Sequence, residues 1–429
     1  MKSFLIKSVR YSTSLVVMGA VALTGYAQEK EVLPKKPTLA DYLRVGIANN
    51  PGLRAQYEKH QAALEQIPQA KSLPDPKFMA TSFVRDVQTR TGPQRGQLAV
   101  GQTFPWFGKL RLRGEIASKE AQAIYYLYEN SLLYLHRDIS LSYYDYAYLA
   151  KATEITEKII TLLERLEPSV KEKVRVGNDL ASLLRLQVEI GKNRDVLQAL
   201  KKERQRQSST MSALLGRRDV DLLPWIKLEE FKDLPEGRVK LVEALFKGNP
   251  ELKAIEMRIA KAEKAVKLSN LSPIPDPTIG VNYFDTGSAL NPGTPGSGDD
   301  PWGVTLSFRI PLWFGKYKAE KKQALANHRA VEAVLTDRQN TLIAELERAL
   351  EDFQEADERI ALYTKTLLPI ARQAVEVSEE SYKANRSTIL DVIDSDRTLL
   401  ELEKTYWRAV ANRHSSHVRL KALVGRRQE

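Results

Sequence analysis

Phe104-Pro105-Trp106-Phe107-Gly108-Lys109 returns later in the chain as Ile310-Pro311-Leu312-Trp313-Phe314-Gly315-Lys316, and its surroundings return with it. Upstream, Asn50-Pro51-Gly52-Leu53 and Pro74-Asp75-Pro76 come back as Asn249-Pro250-Glu251-Leu252 and Pro275-Asp276-Pro277. Downstream, Leu214-Leu215-Gly216 comes back as Leu423-Val424-Gly425. The offset between matching positions drifts only from 199 to 209. Solenoid repeats have periods of roughly 20–50 residues, so this spacing reads instead as a duplicated half with pseudo-twofold or ring-like architecture.

Each aromatic-Gly-Lys stretch divides two periodicities. Before it the pattern alternates. Ile279, Val281 and Tyr283 share one face against Gly280 and Asn282, and Val304, Leu306, Phe308 and Ile310 share one against Thr305, Ser307 and Arg309. In the first copy Leu98 and Val100 alternate with Gln97, Ala99 and Gly101. Strand pairs are expected at about 77–104 and 278–310, each started by a Pro-Asp-Pro that breaks the preceding element. Taken singly, such strands suit a half-buried soluble sheet as well as the lipid-facing wall of a barrel. The long polar loop Gly287–Pro301 favours the barrel, and two hairpins cannot close one without other subunits.

After it the pattern becomes helical. From Leu342 the apolar or small positions run Leu346, Ala349, Phe353, Ala356, Ile360, Tyr363, Leu367, Ile370, Ala374 and Val377, a heptad expected to continue without slip. Lys109–Val176 and Lys316–Ala384 match in length at 68 and 69 residues, and helices of that length reach about 100 Å at 1.5 Å per residue. Pro168 and Pro369 predict kinks within them. The chain reverses at Gly177-Asn178 and Asn385-Arg386 and returns over Leu180–Leu215 and Thr388–Val424. Short helices precede each strand pair, with Thr38 a candidate N-cap and Pro51 and Pro250 at first helical positions.

Composition narrows the classes further. With 28% charged and 43% hydrophobic residues the chain is a folded one. It has no cysteine, which excludes disulfides, thiolate metal sites, a cysteine nucleophile and a lipidated N-terminal cysteine. The net charge of +11 is interleaved along helical faces without a basic stripe, so nucleic acid is not an expected partner. Residues 1–27 have a basic start, an apolar run around Leu15–Leu23 and small residues at Gly25 and Ala27, and read as a signal peptide. That run is shorter than the roughly 20 residues a spanning helix needs.

In the order of its elements, its Pro-Asp-Pro strand starts, its aromatic-Gly-Lys strand ends and Thr388-Ile389-Leu390-Asp391-Val392-Ile393-Asp394, the chain resembles the TolC family of outer-membrane efflux channels. The resemblance covers about Thr38 to Gly425. It implies an α+β membrane protein built from two internal repeats, in which a homotrimer contributes four strands per subunit to one twelve-stranded β-barrel continued by a long α-helical barrel. The repeats would span 28–216, with helical hairpin 109–215, and 239–429, with hairpin 316–424. Residues 217–238 would form an equatorial linker. The implied function is the exit channel of a tripartite efflux or secretion system in a Gram-negative outer membrane, with helices reaching into the periplasm. Its implied partners are a periplasmic adaptor (membrane fusion protein) and an inner-membrane pump of the resistance-nodulation-division type, besides outer-membrane lipid. No cofactor is implied. The Phe-Pro-Trp-Phe-Gly-Lys-Leu signature is most similar to members that serve heavy-metal pumps.

Asp391 and Asp394 lie one helical turn apart and share a face. The resemblance places matching aspartates at the narrowest point of the tunnel, where three subunits would gather six carboxylates favouring cations. It makes Tyr382, Arg386 and Ser182 gate contacts, with Leu183 standing where an aspartate is expected. It makes Gly177, Asn178, Asp179, Leu180, Asn385, Ser387 and Thr388 adaptor-contacting tips, although turn chemistry explains Gly177 and Asn385 equally well. Eight tyrosines between Tyr125 and Tyr148 suggest packing between subunits before a substrate track. His414 and His417 have ligand spacing but no evident third ligand, and no metal site is expected. A periplasmic adaptor or coiled-coil spacer would account for the hairpins but not for duplicated strand pairs. A hydrolase lacks a nucleophile elbow or zinc-protease motif.

Overall fold

A computed structural model describes residues 31–175, 180–218, 221–229, 237–291, 293–384 and 386–427, the side chain of Lys173 excepted. The expected signal peptide, the tip residues Gly177, Asn178, Asp179 and Asn385, and part of the linker, including Pro235, lie outside the described residues.

The repeated motifs explain how each half begins and ends. Thr38 caps α1 (Leu39–Asn49) through a capping box with Asp41, and Asn50 then caps α2 (Pro51–Lys71), accepting from the Leu53 amide at 2.9 Å. The Asn50 amide also reaches across to the Leu214 carbonyl, 2.9 Å away at the end of the half. After β1 (Lys77–Thr89) and β2 (Gly92–Thr103) come α3 (Lys109–Arg175) and α4 (Leu180–Leu214). The second half opens with α5 (Arg238–Gly248) and α6 (Pro250–Leu271), where Asn249 repeats both roles, capping α6 and donating to the Leu423 carbonyl at 3.0 Å. Gly216 and Gly425 follow those helix ends at φ +66° and +75°, against the carbonyls of Asn49 and Gly248. A Cβ there would meet those oxygens at 2.3 and 2.4 Å, so the Asn-Pro and Leu-x-Gly motifs are two sides of one closure.

The strands β3 (Thr278–Thr286) and β4 (Trp302–Ser307) join β1 and β2 in one antiparallel sheet of order β1-β2-β3-β4. The strand expected to reach Ile310 stops at Ser307. Its partner β3 begins opposite, at Thr278 just after the proline of Pro-Asp-Pro, and so offers no ladder to residues 308–310.

The second long helix departs from expectation as well. It starts at Phe314 and runs as α7 to Leu362, followed by a π-helical turn at Tyr363–Leu367, α8 (Leu368–Lys383) and, after the reversal, α9 (Ile389–Leu423). Pro369 accounts for the turn. With no amide and a ring that crowds the preceding turn, it is accommodated where the Leu368 amide bonds to the Tyr363 carbonyl. The extra residue shifts the register, so the heptad slips after all. Leu342, Leu346, Ala349, Phe353 and Ala356 are buried, but beyond the turn Leu368 and Ala371 go inside while Ile370 and Val377 face outward. Pro168, by contrast, sits inside a continuous α3.

Three buried clusters lie along the helices. One surrounds Tyr42, Ile139, Tyr146, Met211 and Leu223; one surrounds Leu245, Leu346 and Phe353; one near the tips joins Ile159, Leu163, Leu186 and Ile393. Each fully buried side chain of this size contributes about 1.5–3 kcal/mol. The tyrosines expected between subunits belong partly to the first of these. Tyr144 and Tyr146 are buried within the chain, where the Tyr146 hydroxyl donates to the Leu223 carbonyl at 2.7 Å. The linker segment 221–229 presses Leu223, Ile226 and Leu228 inward, and a strap carbonyl beneath them calls for a hydroxyl.

Candidate membrane sheet and tunnel tip

The registers align apolar side chains in rows across the sheet. Phe78, Val100, Val281 and Val304 lie opposite one another, as do Ala80, Leu98, Tyr283 and Trp302. Val100, Val281 and Val304 are 49%, 49% and 66% exposed, so this face carries a continuous uncovered apolar surface. The opposite face is polar: Thr103 and Thr278 share a hydroxyl bond at 2.8 Å, Gln97 donates to Asn282 at 3.2 Å, and Asn282 donates to Thr305. β1 and β4 are edge strands, with unpaired backbone on their outer sides. Among the described residues no helix is long and apolar enough to cross a membrane.

Where sheet meets helices, the motifs of the two copies interlock. Lys109, 6% exposed, donates to the Ile274 carbonyl at 2.6 Å and to Asp276 Oδ1 at 2.8 Å. The Trp106 amide donates to the same oxygen at 2.7 Å. The aromatic-Gly-Lys of the first copy is thus locked to the Pro-Asp-Pro of the second, a pair the sequence held in plain view without showing that the two would meet.

At the far end, a groove of about 610 Å³ between α4 and α9 gathers Asp391, Asp394, Glu189, Arg185, Lys192 and Arg397. The expected acidic pair therefore sits among bases within one subunit. Thr388 caps α9, donating its amide and its hydroxyl to Asp391 Oδ2, each at 2.7 Å. First the hydroxyl bond and then the amide bond hold the Asp391 carboxyl below the ordinary carboxylate value. Asp394 Oδ1 accepts from Arg397 at 2.7 Å, and Arg397 also stands 3.9 Å from Glu189. Spacing of three residues between Asp394 and Arg397 was the sequence signal for this partner.

The other expected residues are only partly brought together. Tyr382 and Leu183 pack against the buried cluster of Leu186, Ile389 and Ile393, and Ser182 lies next to Leu183 in the first turn of α4, which Leu180 opens exposed. Ser387 donates to the Ser378 carbonyl at 3.4 Å. The Arg386 amide closes the end of α8 on Ser381 at 2.8 Å, with its side chain exposed.

One acid was missed in the sequence. Asp396 is buried, its Oδ2 lacks a hydrogen-bond partner among the described residues, and burial, then the nearby charge of Glu379, push its carboxyl upward. His414 lies buried at mid-length, stacked on Tyr144 at 4.2 Å and bonded through Nε2 to the Glu229 carbonyl at 2.8 Å. Burial chiefly holds its pKa low. No group of three or more His, Asp or Glu among the described residues is arranged to hold a metal ion.

Residues 241–426 match the family model described as Outer membrane efflux protein. The pyoverdine export outer membrane protein OpmQ of Pseudomonas putida is 27% identical over 221 residues, covering 50% of this chain and 46% of that protein. Nodulation protein T of Rhizobium leguminosarum bv. trifolii is 21% identical, with 97% of each chain covered. The solved outer-membrane channel OprN superposes with a TM-score of 0.77 at 18% identity, over 90% of this chain and 89% of that one. The family's model falls on the second copy and the channel fold extends through both. Residues 241–426 thus match the outer membrane efflux protein family, and the chain as a whole has the fold of the solved outer-membrane channels.

Proposed function

We propose that three copies of this chain form a passive exit duct across the outer membrane, fed by an inner-membrane pump through a periplasmic adaptor. The observation that carries it is the sheet: a continuous exposed apolar face, a polar opposite face and two open edges. Such a sheet suits lipid on one side and water on the other, and needs strands from other subunits to close a twelve-stranded barrel. The two halves, 28–216 and 239–429 joined by 217–238, would then alternate around the ring, with α3, α4 and α7–α9 forming the tunnel wall.

Asp391 and Asp394 would form the constriction, each carboxylate already held in place, one by the α9 cap and one by Arg397. Tyr382, Ser182 and Arg386 would contribute the contacts that close the tip. Leu180, Ser387 and Thr388, with Gly177, Asn178, Asp179 and Asn385, would present it to the adaptor.

Planar-bilayer recording of the purified protein beside Asp391→Asn/Asp394→Asn tests this. Asparagine keeps an acceptor for the Thr388 cap, so the helix start survives while the charge is lost. The expected result is a cation-selective channel whose selectivity and block by multivalent cations fall in the variant. Channels unaffected by the substitution would move the constriction elsewhere. Folded protein that gives no channels would favour a periplasmic spacer.

A further inference from the structure

Inside the chain, one junction is complete: Lys109, which opens α3 after β2, is paired with Asp276, which precedes β3. The converse pair is separated at the two outer edges of the sheet. Asp75 precedes edge strand β1 and Lys316 follows edge strand β4. Both are exposed, and among the described residues neither has an ion-pair partner. Their neighbours are uncovered in the same way. Trp106 is 40% exposed and its counterpart Trp313 is 77%, while Leu73, counterpart of Ile274, whose carbonyl accepts from Lys109, is 48% exposed.

We propose that Lys316 pairs with Asp75 of the partner subunit, so that each boundary between subunits repeats the junction found inside the chain. The boundary has the parts of the internal junction: an aromatic-Gly-Lys turn and the helix it opens on the β4 side, a Pro-Asp-Pro on the β1 side, and an edge strand needing a neighbour on both. The helices point the same way. α6 packs extensively against both α3 and α7, whereas among the described residues the extensive helix contact of its counterpart α2 is with α3. The open side of α2 is the place for the next subunit's α7. A lysine and an aspartate brought together at a boundary closed to water gain more from each other than an exposed pair does. This inference rests on the ring assembly proposed above.

The absence of cysteine makes the test clean. In Asp75→Cys/Lys316→Cys a short bis-maleimide should link neighbouring chains, giving dimers and trimers on denaturing gels. Lys109→Cys/Asp276→Cys should link only within a chain and give no ladder. Each single charge reversal, Asp75→Lys or Lys316→Asp, should shorten the lifetime of the assembly in detergent by on the order of tenfold, and the two together should restore it. A native mass of three chains with both thiols reactive yet no ladder would overturn the pairing and leave the trimer standing. A native mass of one chain would overturn both.

Discussion

Tyr146 and Phe353 hold matching places in the two copies, aligned by the same offset as Lys109 and Lys316, and they differ by one hydroxyl. Both are buried on the inner face of a long helix. The first copy carries the linker strap across it, whose Leu223 carbonyl takes the Tyr146 hydroxyl while Arg204 donates to that hydroxyl at 3.1 Å and lies over Trp225. The second copy packs Phe353 among Leu346, Leu420 and their neighbours. The same contrast recurs at the junctions, where Lys109 is enclosed and Lys316 is open. The two halves share the motifs that start and end their helices, and their residues differ where each half faces something different.

The largest expected effect breaks the contrast at the junctions. Lys109→Ala leaves Asp276 without its cation and should lower folding stability by about 3 kcal/mol, read as a fall in the thermal midpoint. Lys316→Ala should leave the stability of the dissociated chain unchanged; an equal loss there would mean that the two junctions do not differ. A smaller effect sharpens the contrast at the strap. Tyr146→Phe, which makes the first copy like the second, should cost about 1–2 kcal/mol, because the Leu223 carbonyl loses a buried donor and the Arg204 guanidinium an acceptor.

The smallest effect concerns two acids on α9. Asp396, raised by burial and by Glu379, binds its proton more tightly folded than unfolded. Its ionisation therefore costs stability, and the cost appears as pH rises from the ordinary carboxylate value through the raised one. Asp396→Asn should gain about 1 kcal/mol or less at neutral pH and nothing in acid, measured by denaturant titration at both. Asp391 runs the other way, since its lowered pKa gives stability above the ordinary value that is lost as pH falls.

Punctuating residues were the most legible in the sequence. Asn-Pro, Pro-Asp-Pro and the glycines after each long helix act locally, through a fixed φ, a missing amide or a left-handed turn, so helix starts and strand starts could be placed from them. The heptad was legible up to Ala356 and then misled, because a π-turn is a local adjustment to Pro369 that leaves no trace in periodicity. Lys109 and Asp276 were each singled out, yet their meeting depends on β2 pairing with β3, a long-range fact. Asp396 escaped notice because only the docking of α8 after the register shift makes it buried. At the tip, Asp391 was found for its position, and its capping role became visible only with Thr388 beside it.

Electron cryomicroscopy of the full-length protein in lipid nanodiscs tests the central claim most directly. The account predicts three chains about one axis, each β4 hydrogen-bonded to β1 of the partner subunit, the apolar rows of Val100, Val281 and Val304 against lipid, and Asp391 and Asp394 facing the axis at the far end. A sheet whose β1 and β4 edges remain unpaired, or whose apolar face is covered by protein with no lipid contact, would contradict it.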